Sequence, residues 1–523
     1  MRREEMLSRI QEQAMIWDLI IIGGGATGLG TAIEAASRGY KILLMEQGDF
    51  GQGTSSRSTK LIHGGVRYLQ QGNVSLVLES LKERGLLLKN APYLVHNVPF
   101  VVPIYDWWES PFYGIGLKLY DVLAGKHGFG KSKILSKEKT LELLPTVETE
   151  GLRGGVIYHD GQFDDARLAV NLAQTAIRQG GTLINYMKVT DFTKSADIIR
   201  SVIARDLENK KEYELKGKAI INATGVFTDS IRRLDDPGVK AMINASQGAH
   251  IVLDKSFLPG DTAVMVPHTD DGRVIFAIPW YNRVIVGTTE TPIEKIESEP
   301  RPQAEEIDFL LSQVARYLTK DPVVEDILSA FAGLRPLVSF GPNENTAAIS
   351  RDHTIHISSS GLITITGGKW TTYRKMAEDT IDQAAILAQL DPTPSATESL
   401  QIHGYHKNAD IFGRLEFYGS DAPSIEDLIR ENKKYKLPLT DALPNRTGEV
   451  VWAVRHEMAR TAEDYLARRT RLLILDAKAS LEAAPMVIDI IAKELKRKRS
   501  WKKKQLKDYE NLVKGYLVGS NIK

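Results

Sequence analysis

The chain has 523 residues, 42% of them hydrophobic and 25% charged, with a net charge of +1. This describes an ordinary soluble globule of two or three domains, without the basic field that nucleic acid would call for. It contains no cysteine, which excludes disulfides, thiolate zinc sites, iron–sulfur clusters, a redox-active dithiol and a Cys-linked flavin, so any redox chemistry must run through a bound organic cofactor.

Met1-Arg2-Arg3-Glu4-Glu5 leads into a polar segment that reads as helix without the apolar core of a signal peptide, and no run of 18 apolar residues follows. The expectation is a cytoplasmic protein, or one attached to a membrane without crossing it. The apolar run Trp17 to Ile22 then meets Gly23-Gly24-Gly25-Ala26-Thr27-Gly28, and a second apolar run, Lys41 to Met45, ends at Glu46. Strand, tight turn, helix and strand, with glycines at 23, 25 and 28 and an acid about 20 residues on, form a dinucleotide-binding fingerprint. One glycine makes the turn, one lets the backbone approach a pyrophosphate and one lets helix and strand pack, while Glu46 is placed to accept from a ribose. The fingerprint does not separate FAD from NAD.

Further along, an amphipathic helix is predicted over 166–180 and a strand over 182–186; 201–204 and 213–215 alternate as a hairpin, and 218–225 is a buried strand ending in a small-residue turn. Between about 240 and 340 the strands 250–253, 274–278 and 284–287 suggest a second, antiparallel sheet. A strand over 361–366 runs into Gly367-Gly368-Lys369 and a helix from Tyr373 to Leu390. Asp391-Pro392-Thr393-Pro394-Ser395 reads as a linker to a helical, charged remainder.

Several residues are chemically suited to an anion or a cofactor. The stretch Thr54 to Lys60 is rich in hydroxyls, and His63-Gly64-Gly65-Val66-Arg67-Tyr68 follows it. It reads either as a Ser/Thr-rich surface loop or as a site, and the glycines beside His63 favour close backbone approach. Arg335, after the apolar segment of Gly333-Leu334, offers a planar fork for phosphate or for a surface ion pair. Lys369, at a helix start behind two glycines, combines an amine with free N–H groups and the helix dipole. His250, at the head of a strand, is a candidate base or a packed histidine. His353 with His356 and His403 with His406 lack a third ligand at convincing spacing, so no metal site is expected. No G-x-S-x-G supports nucleophilic hydrolysis.

Taken in order, Ile22 to Gly28, Thr54 to Leu69, Asn222-Ala223-Thr224-Gly225, Ile278-Pro279-Trp280 with Val286-Gly287-Thr288-Thr289, Leu334-Arg335-Pro336 and Gly367 to Arg374 resemble the FAD-dependent glycerol-3-phosphate dehydrogenase family. The resemblance covers residues 18 to 390, and Arg468-Arg469-Thr470-Arg471-Leu472 is more loosely similar to the family's helical C-terminal domain. It implies an α/β fold: a glutathione-reductase-like, Rossmann-type FAD domain (about 18–70, 150–235 and 340–390) interleaved with an antiparallel substrate sheet (71–149 and 236–339). A linker at 391–398 and a helical cap at 399–523 would follow.

The implied reaction oxidises sn-glycerol 3-phosphate to dihydroxyacetone phosphate with reduction of FAD, whose electrons pass to a membrane quinone. Arg67, Tyr68, Arg335, Lys369 and Thr371 would hold substrate, with Arg335 and either His63 or His250 in the chemistry. The FAD contacts implied are Gly23, Gly24, Gly25, Thr27, Gly28, Glu46, Gln47, Thr54, Ser55, Ser56, Thr59, Lys60, His63, Gly64, Gly65, Val189, Thr224, Gly225, Gly367, Gly368 and Lys369. A homodimer is compatible with the resemblance.

The alternatives are an α-glycerophosphate oxidase that uses oxygen and a flavin-binding relative without turnover. The resemblance implies that oxidases carry a late insert, whereas only 33 residues lie between Arg335 and Lys369. Peripheral attachment to the inner face of the cell membrane is expected, through Trp107, Trp108 and the stripe Phe112, Ile115, Leu119, Val122 and Leu123, or through the basic run 496–504.

Overall fold

The computed structural model describes residues 1–11, 15–65, 73–107, 109–125, 128–338, 353–441 and 444–519, apart from the side chains of Ser110 and Phe112. Its first sheet is built on parallel strands. Ile16–Ile22 lies between Glu212–Asn222 and Ile42–Met45, with Leu362–Gly367 beyond the former and Thr182–Ile184 beyond the latter. Such strands are covered on both faces and so read as unbroken apolar runs. Leu19 and Ile21 meet the helices Ala26–Ser37, Asp165–Arg178 and Tyr373–Leu387. Ile20 and Ile22 meet an antiparallel meander, Met187–Ser195, Ile198–Asp206 and the first half of Glu212–Asn222. Three layers result. The helix predicted at 166–180 is Asp165–Arg178, capped by the Asp164 carboxylate accepting from the Arg167 N–H at 2.9 Å.

Among the described residues the second sheet has ten strands. Ile243–Asp254 pairs antiparallel with Arg283–Gly287 on one side and Ser329–Val338 on the other, and Val95–Ile104 pairs antiparallel with Gly154–Phe163. The join between these two halves is parallel, Ala263–Val266 beside Val95–Ile104, so the sheet is antiparallel except at that pair. Two segments assigned by sequence to the cofactor pieces change place. Gly154–Phe163 pairs over its whole length with Val95–Ile104, and Leu61–Ile62 pairs with Gly154–Phe163 at the sheet edge. Local sequence pattern does not identify the sheet a segment joins.

The remainder is helical: Thr447–His456, Ala477–Glu494 and Arg499–Val513 build a further core that includes Val252, Trp280, Ile285 and Phe331 of the second sheet, whereas Ala422–Glu431 packs through Ala422, Ile425, Leu428 and Ile429 on the core of the first. The expected linker 391–398 is pinned rather than free. Thr397 and Ser395 donate from their hydroxyls to Glu34 at 2.5 and 3.0 Å, because Glu34 is a carboxylate buried on helix Ala26–Ser37 and needs donors. The arginines at 468, 469 and 471 join the helical domain to the first. Arg468 and Arg469 both reach Asp49 at 2.6 Å, and Arg471 reaches Asp164 at 2.9 Å, all buried. Burial alone would raise Asp49, but Arg469 and Arg468 hold it below the usual carboxylate range.

Candidate functional site

The carboxyl ends of the parallel strands, where an open α/β sheet collects ligands, open into a cavity of about 1450 Å³ that runs on beneath the second sheet. At its first end lies the glycine turn. Gly23 has φ +108°, and a Cβ there would stand 2.6 Å from the Ala223 carbonyl oxygen; a Cβ on Gly28 would stand 1.9 Å from the Gly23 oxygen. These two glycines let strand, turn and helix approach, as their spacing predicts. Gly25 differs: its φ is −82° and a Cβ would meet only the Ser55 hydroxyl, at 3.1 Å, so a side chain there would project into the cavity that Gly25 lines.

Helix Ala26–Ser37 starts at this turn, and the Ala26 N–H donates to the Ser55 hydroxyl at 2.9 Å. Glu46 accepts from the Gly24 N–H with one oxygen and from the Gly48 N–H with the other, both at 2.7 Å. Burial pushes Glu46 above the usual carboxylate range, and those two N–H groups oppose the shift. Each oxygen retains acceptor capacity for a ribose hydroxyl. Gln47, Thr27, Val189, Thr224 and Gly225 line the same end.

At the other end the second sheet presents its polar residues. His250, on Ile243–Asp254, is stacked on Phe331 with ring centroids 4.7 Å apart, and its Nε2 is 2.9 Å from the Thr59 hydroxyl. Burial, then the Arg335 and Lys60 charges, drive its pKa well below the usual imidazole value, so the ring is neutral. Its Nδ1 has no hydrogen-bond partner among the described residues. Arg335, on Ser329–Val338, donates to the Thr289 carbonyl at 3.2 Å and the Thr288 hydroxyl at 3.1 Å, which fix the guanidinium plane.

Two glycines make room for these side chains. A Cβ on Gly248 would come within 2.6 Å of the Arg335 guanidinium, and one on Gly287 within 2.2 Å of the His250 ring. Between the two ends stand Thr54, Ser55, Thr59, His63, Gly65, Gly367, Gly368, Lys369 and Thr371. The Thr371 hydroxyl donates to the His63 carbonyl at 3.3 Å, and the Trp370 indole N–H to that of Ser55 at 2.9 Å.

Five of the sequence candidates stand behind the cavity wall. Lys60 has no exposed side-chain surface; its ammonium contacts both oxygens of Asp165 at 2.8 Å and the Ser56 carbonyl at 2.7 Å, an internal ion pair rather than a cofactor contact. Ser56 is buried beside it. Gly24 is committed to Glu46, Gly28 to packing against Gly23, and Gly64 to the hydroxyl of Tyr120, to which its N–H donates at 2.8 Å. Arg67 and Tyr68 lie outside the described residues.

Sequence reasoning missed Thr288, Gln52, Asp160 and an apolar limb formed by Phe100, Tyr113, Leu117, Tyr158, Met265 and Phe276. These arise from ordinary strand and helix patterns, in which a residue facing a cavity looks like one facing a core.

The residues fit a dinucleotide. The cavity is larger than the roughly 300–1,000 Å³ of a drug-sized ligand, it begins at a glycine turn on a helix N-terminus, and it includes a buried acid with acceptor capacity to spare. A family model described as FAD dependent oxidoreductase matches residues 18–374, and one described as the C-terminal domain of alpha-glycerophosphate oxidase matches residues 363–505.

The mitochondrial glycerol-3-phosphate dehydrogenases of Rattus norvegicus and Homo sapiens are 39% and 40% identical to this chain, each over 94% of it and 72% of their own length. That of Arabidopsis thaliana is 38% identical over 96% of this chain and 87% of its own. The crystal structure of the glycerol-3-phosphate dehydrogenase from Bacillus halodurans complexed with FAD superposes with a TM-score of 0.80 at 29% identity, covering 98% of this chain and 97% of that one. The FAD-bound L-alpha-glycerophosphate oxidase of Mycoplasma pneumoniae, at 20% identity and a TM-score of 0.57, shares the fold over 73% of this chain. Fold, cavity and relatives agree: the cofactor is FAD, and the chain belongs to the FAD-dependent glycerol-3-phosphate dehydrogenase family.

Proposed function

We propose that this protein oxidises sn-glycerol 3-phosphate to dihydroxyacetone phosphate and passes the electrons to a membrane quinone. The observation that carries the reading is the meeting, in one cavity, of a dinucleotide cradle with Arg335, Lys369 and a neutral buried histidine. Arg335 and Lys369 bind the phosphate, the first as an oriented fork and the second as a point charge. Holding the phosphate there orients the C2 hydroxyl, and orientation is the larger part of the work in a reaction whose partners must approach to about 3–3.5 Å. His250, neutral and lining the cavity, takes the hydroxyl proton. FAD, when bound, supplies the acceptor for the hydride from C2.

The quinone and membrane parts rest on helix Glu109–Ala124. Ile115, Leu119 and Val122 recur on one face and are 72%, 49% and 75% exposed, with Trp107 beside them at 76%. Lys118 is exposed on the same face. An apolar stripe with a tryptophan and a lysine suits the headgroup region of a bilayer. Among the described residues no helix is long and apolar enough to cross a membrane. The basic run at 496–504 is a weaker anchor, because Arg497 pairs with Glu208, Lys502 with Asp489 and Lys504 with Asp508.

Anaerobic stopped-flow mixing with sn-glycerol 3-phosphate should bleach the flavin, and glycerol alone should not. Reoxidation by a soluble quinone analogue faster than by oxygen supports the dehydrogenase reading. The reverse order would make the protein an oxidase, and failure to bleach would remove the substrate assignment.

A further inference from the structure

Three elements converge in the cavity wall on one polar cluster, of which Asp160 lines the cavity. Arg84 comes from helix Val74–Asn90, Tyr120 from helix Glu109–Ala124 and Asp160 from strand Gly154–Phe163, and they are 1%, 1% and 3% exposed. The Arg84 guanidinium donates to Asp160 Oδ1 at 2.6 Å and to the Tyr120 oxygen at 3.2 Å, while its Cζ lies 4.2 Å from the Phe129 ring centre. Tyr120 donates to Asp160 Oδ2 at 2.9 Å, and the Gly64 N–H donates to Tyr120 at 2.8 Å.

The chemistry gives this chain of bonds one direction. A carboxylate paired with arginine is an acceptor only, so the single hydroxyl proton of Tyr120 goes to Asp160. The lone pairs of Tyr120 then face Arg84 and Gly64. Burial and the Asp160 charge keep the phenol protonated, well above its ordinary pKa.

What the cluster holds is the segment that enters the cavity. Strand Leu61–Ile62 pairs Leu61 with Gln162 and Ile62 with Gly161, and the preceding Lys60 carbonyl accepts from the Phe163 N–H at 3.0 Å. The next anchor is Gly64, flanked by His63 and Gly65, both of which line the cavity. A Cβ on Gly64 would stand 2.3 Å from the Tyr120 oxygen and 2.4 Å from Leu81 Cδ2, so the backbone is seated directly on these side chains. On the other side the Thr371 hydroxyl holds the His63 carbonyl.

We propose that Tyr120 is a positioning residue for the reaction: its hydroxyl, aimed by Asp160 and Arg84, fixes Gly64 and thereby sets where His63 and Gly65 stand in the cavity. The inference rests on the reading of this cavity as the substrate and flavin site. Tyr120→Phe keeps the ring and removes the bond.

In the FAD-loaded enzyme, hydrogen exchange at Gly64, followed by mass spectrometry, should become at least tenfold faster in Tyr120→Phe. The limiting rate of anaerobic flavin reduction by sn-glycerol 3-phosphate should fall by about tenfold or more, with the apparent Kd changed less than threefold. FAD occupancy and melting temperature should stay close to wild type. Tyr509→Phe removes an equally buried hydroxyl, bonded to Ser480 among the C-terminal helices, and should leave the reduction rate unchanged.

Exchange and reduction rate both within twofold of wild type in flavin-loaded Tyr120→Phe would overturn the proposal, as would an equal slowing in Tyr509→Phe. Should Tyr120→Phe fail to fold, Asp160→Asn is read instead. Its amide presents either an acceptor or a donor to Tyr120, so a partial slowing is expected, and a rate within twofold of wild type overturns the proposal. If wild type itself is not reduced by sn-glycerol 3-phosphate, the substrate reading has failed, whereas the exchange at Gly64 still decides whether Tyr120 holds the loop.

Discussion

Replacing Arg335 by alanine tests the cationic end of the site most directly. The guanidinium is seated by the Thr289 carbonyl and the Thr288 hydroxyl at 3.2 and 3.1 Å, and Gly248 leaves the space it occupies. Truncation to alanine therefore removes an oriented fork without disturbing a packed core. Loss of one charge-assisted bond costs about 1.5–3 kcal/mol, or roughly ten- to a hundredfold in kcat/KM. Arg335→Lys should recover only part of this, since an ammonium cannot hold the Thr288–Thr289 seat and present a fork at once. The charge of Arg335 also helps to keep His250 neutral, so the alanine variant should shift the acid limb of the flavin-reduction profile upward. The assay is anaerobic flavin reduction across pH, with glycerol as the substrate that lacks a phosphate. A phosphate-binding residue should lose discrimination between the two substrates. Arg335→Ala with kcat/KM for glycerol 3-phosphate within threefold of wild type, and discrimination intact, would refute the assignment.

Gly25→Val should yield a folded protein that has lost FAD, because the backbone there is ordinary and the new side chain enters the cavity; Gly28→Val should lose the fold as well, since its Cβ would strike the Gly23 oxygen. Absorbance at the flavin band beside circular dichroism separates the two. Glu208 accepts both forks of Arg460 at 2.8 Å and pairs with Arg497 at 2.9 Å. Burial opposes its charge, but Arg460, with Arg3 and Arg497, carries its pKa from the ordinary 4.5 down to about 2. A depressed acid stabilises the fold above its unfolded pKa and loses that contribution as pH falls through the folded one, so Glu208→Gln should cost about 3 kcal/mol at pH 7. The gap from wild type should shrink to less than half by about pH 3 in denaturant titrations; a gap independent of pH would contradict the reasoning. For the bilayer reading, wild type should float with anionic liposomes and an Ile115/Leu119/Val122 triple serine variant should not. If the triple variant floats as well as wild type, this helix is not the anchor.

The local features were legible because each rests on a short-range constraint. The glycines at 23, 25 and 28 with Glu46 announce the cradle since only that spacing lets strand, turn and helix close on a pyrophosphate, and the unbroken run Leu19–Ile22 announces a strand covered on both faces. Arg335 and Lys369 could be picked out as anion-binding types, and His250 as a candidate base, from residue chemistry alone. What the chain order could not tell is which of these share a space. Lys60 looks like a cofactor contact in a hydroxyl-rich loop, yet Asp165, 105 residues away, neutralises it. Gly154–Phe163 carries no clean alternation and does not read as a strand, and pairing with Val95–Ile104 puts it in the second sheet. The reason is the same throughout: turns, caps and alternation are set by neighbours in sequence, whereas burial, ion pairing and the pKa of a side chain are set by groups that folding brings from elsewhere. His250 shows both halves. Its place on a strand was readable, but its neutrality comes from Phe331, Arg335 and Lys60, which only the tertiary fold gathers around it.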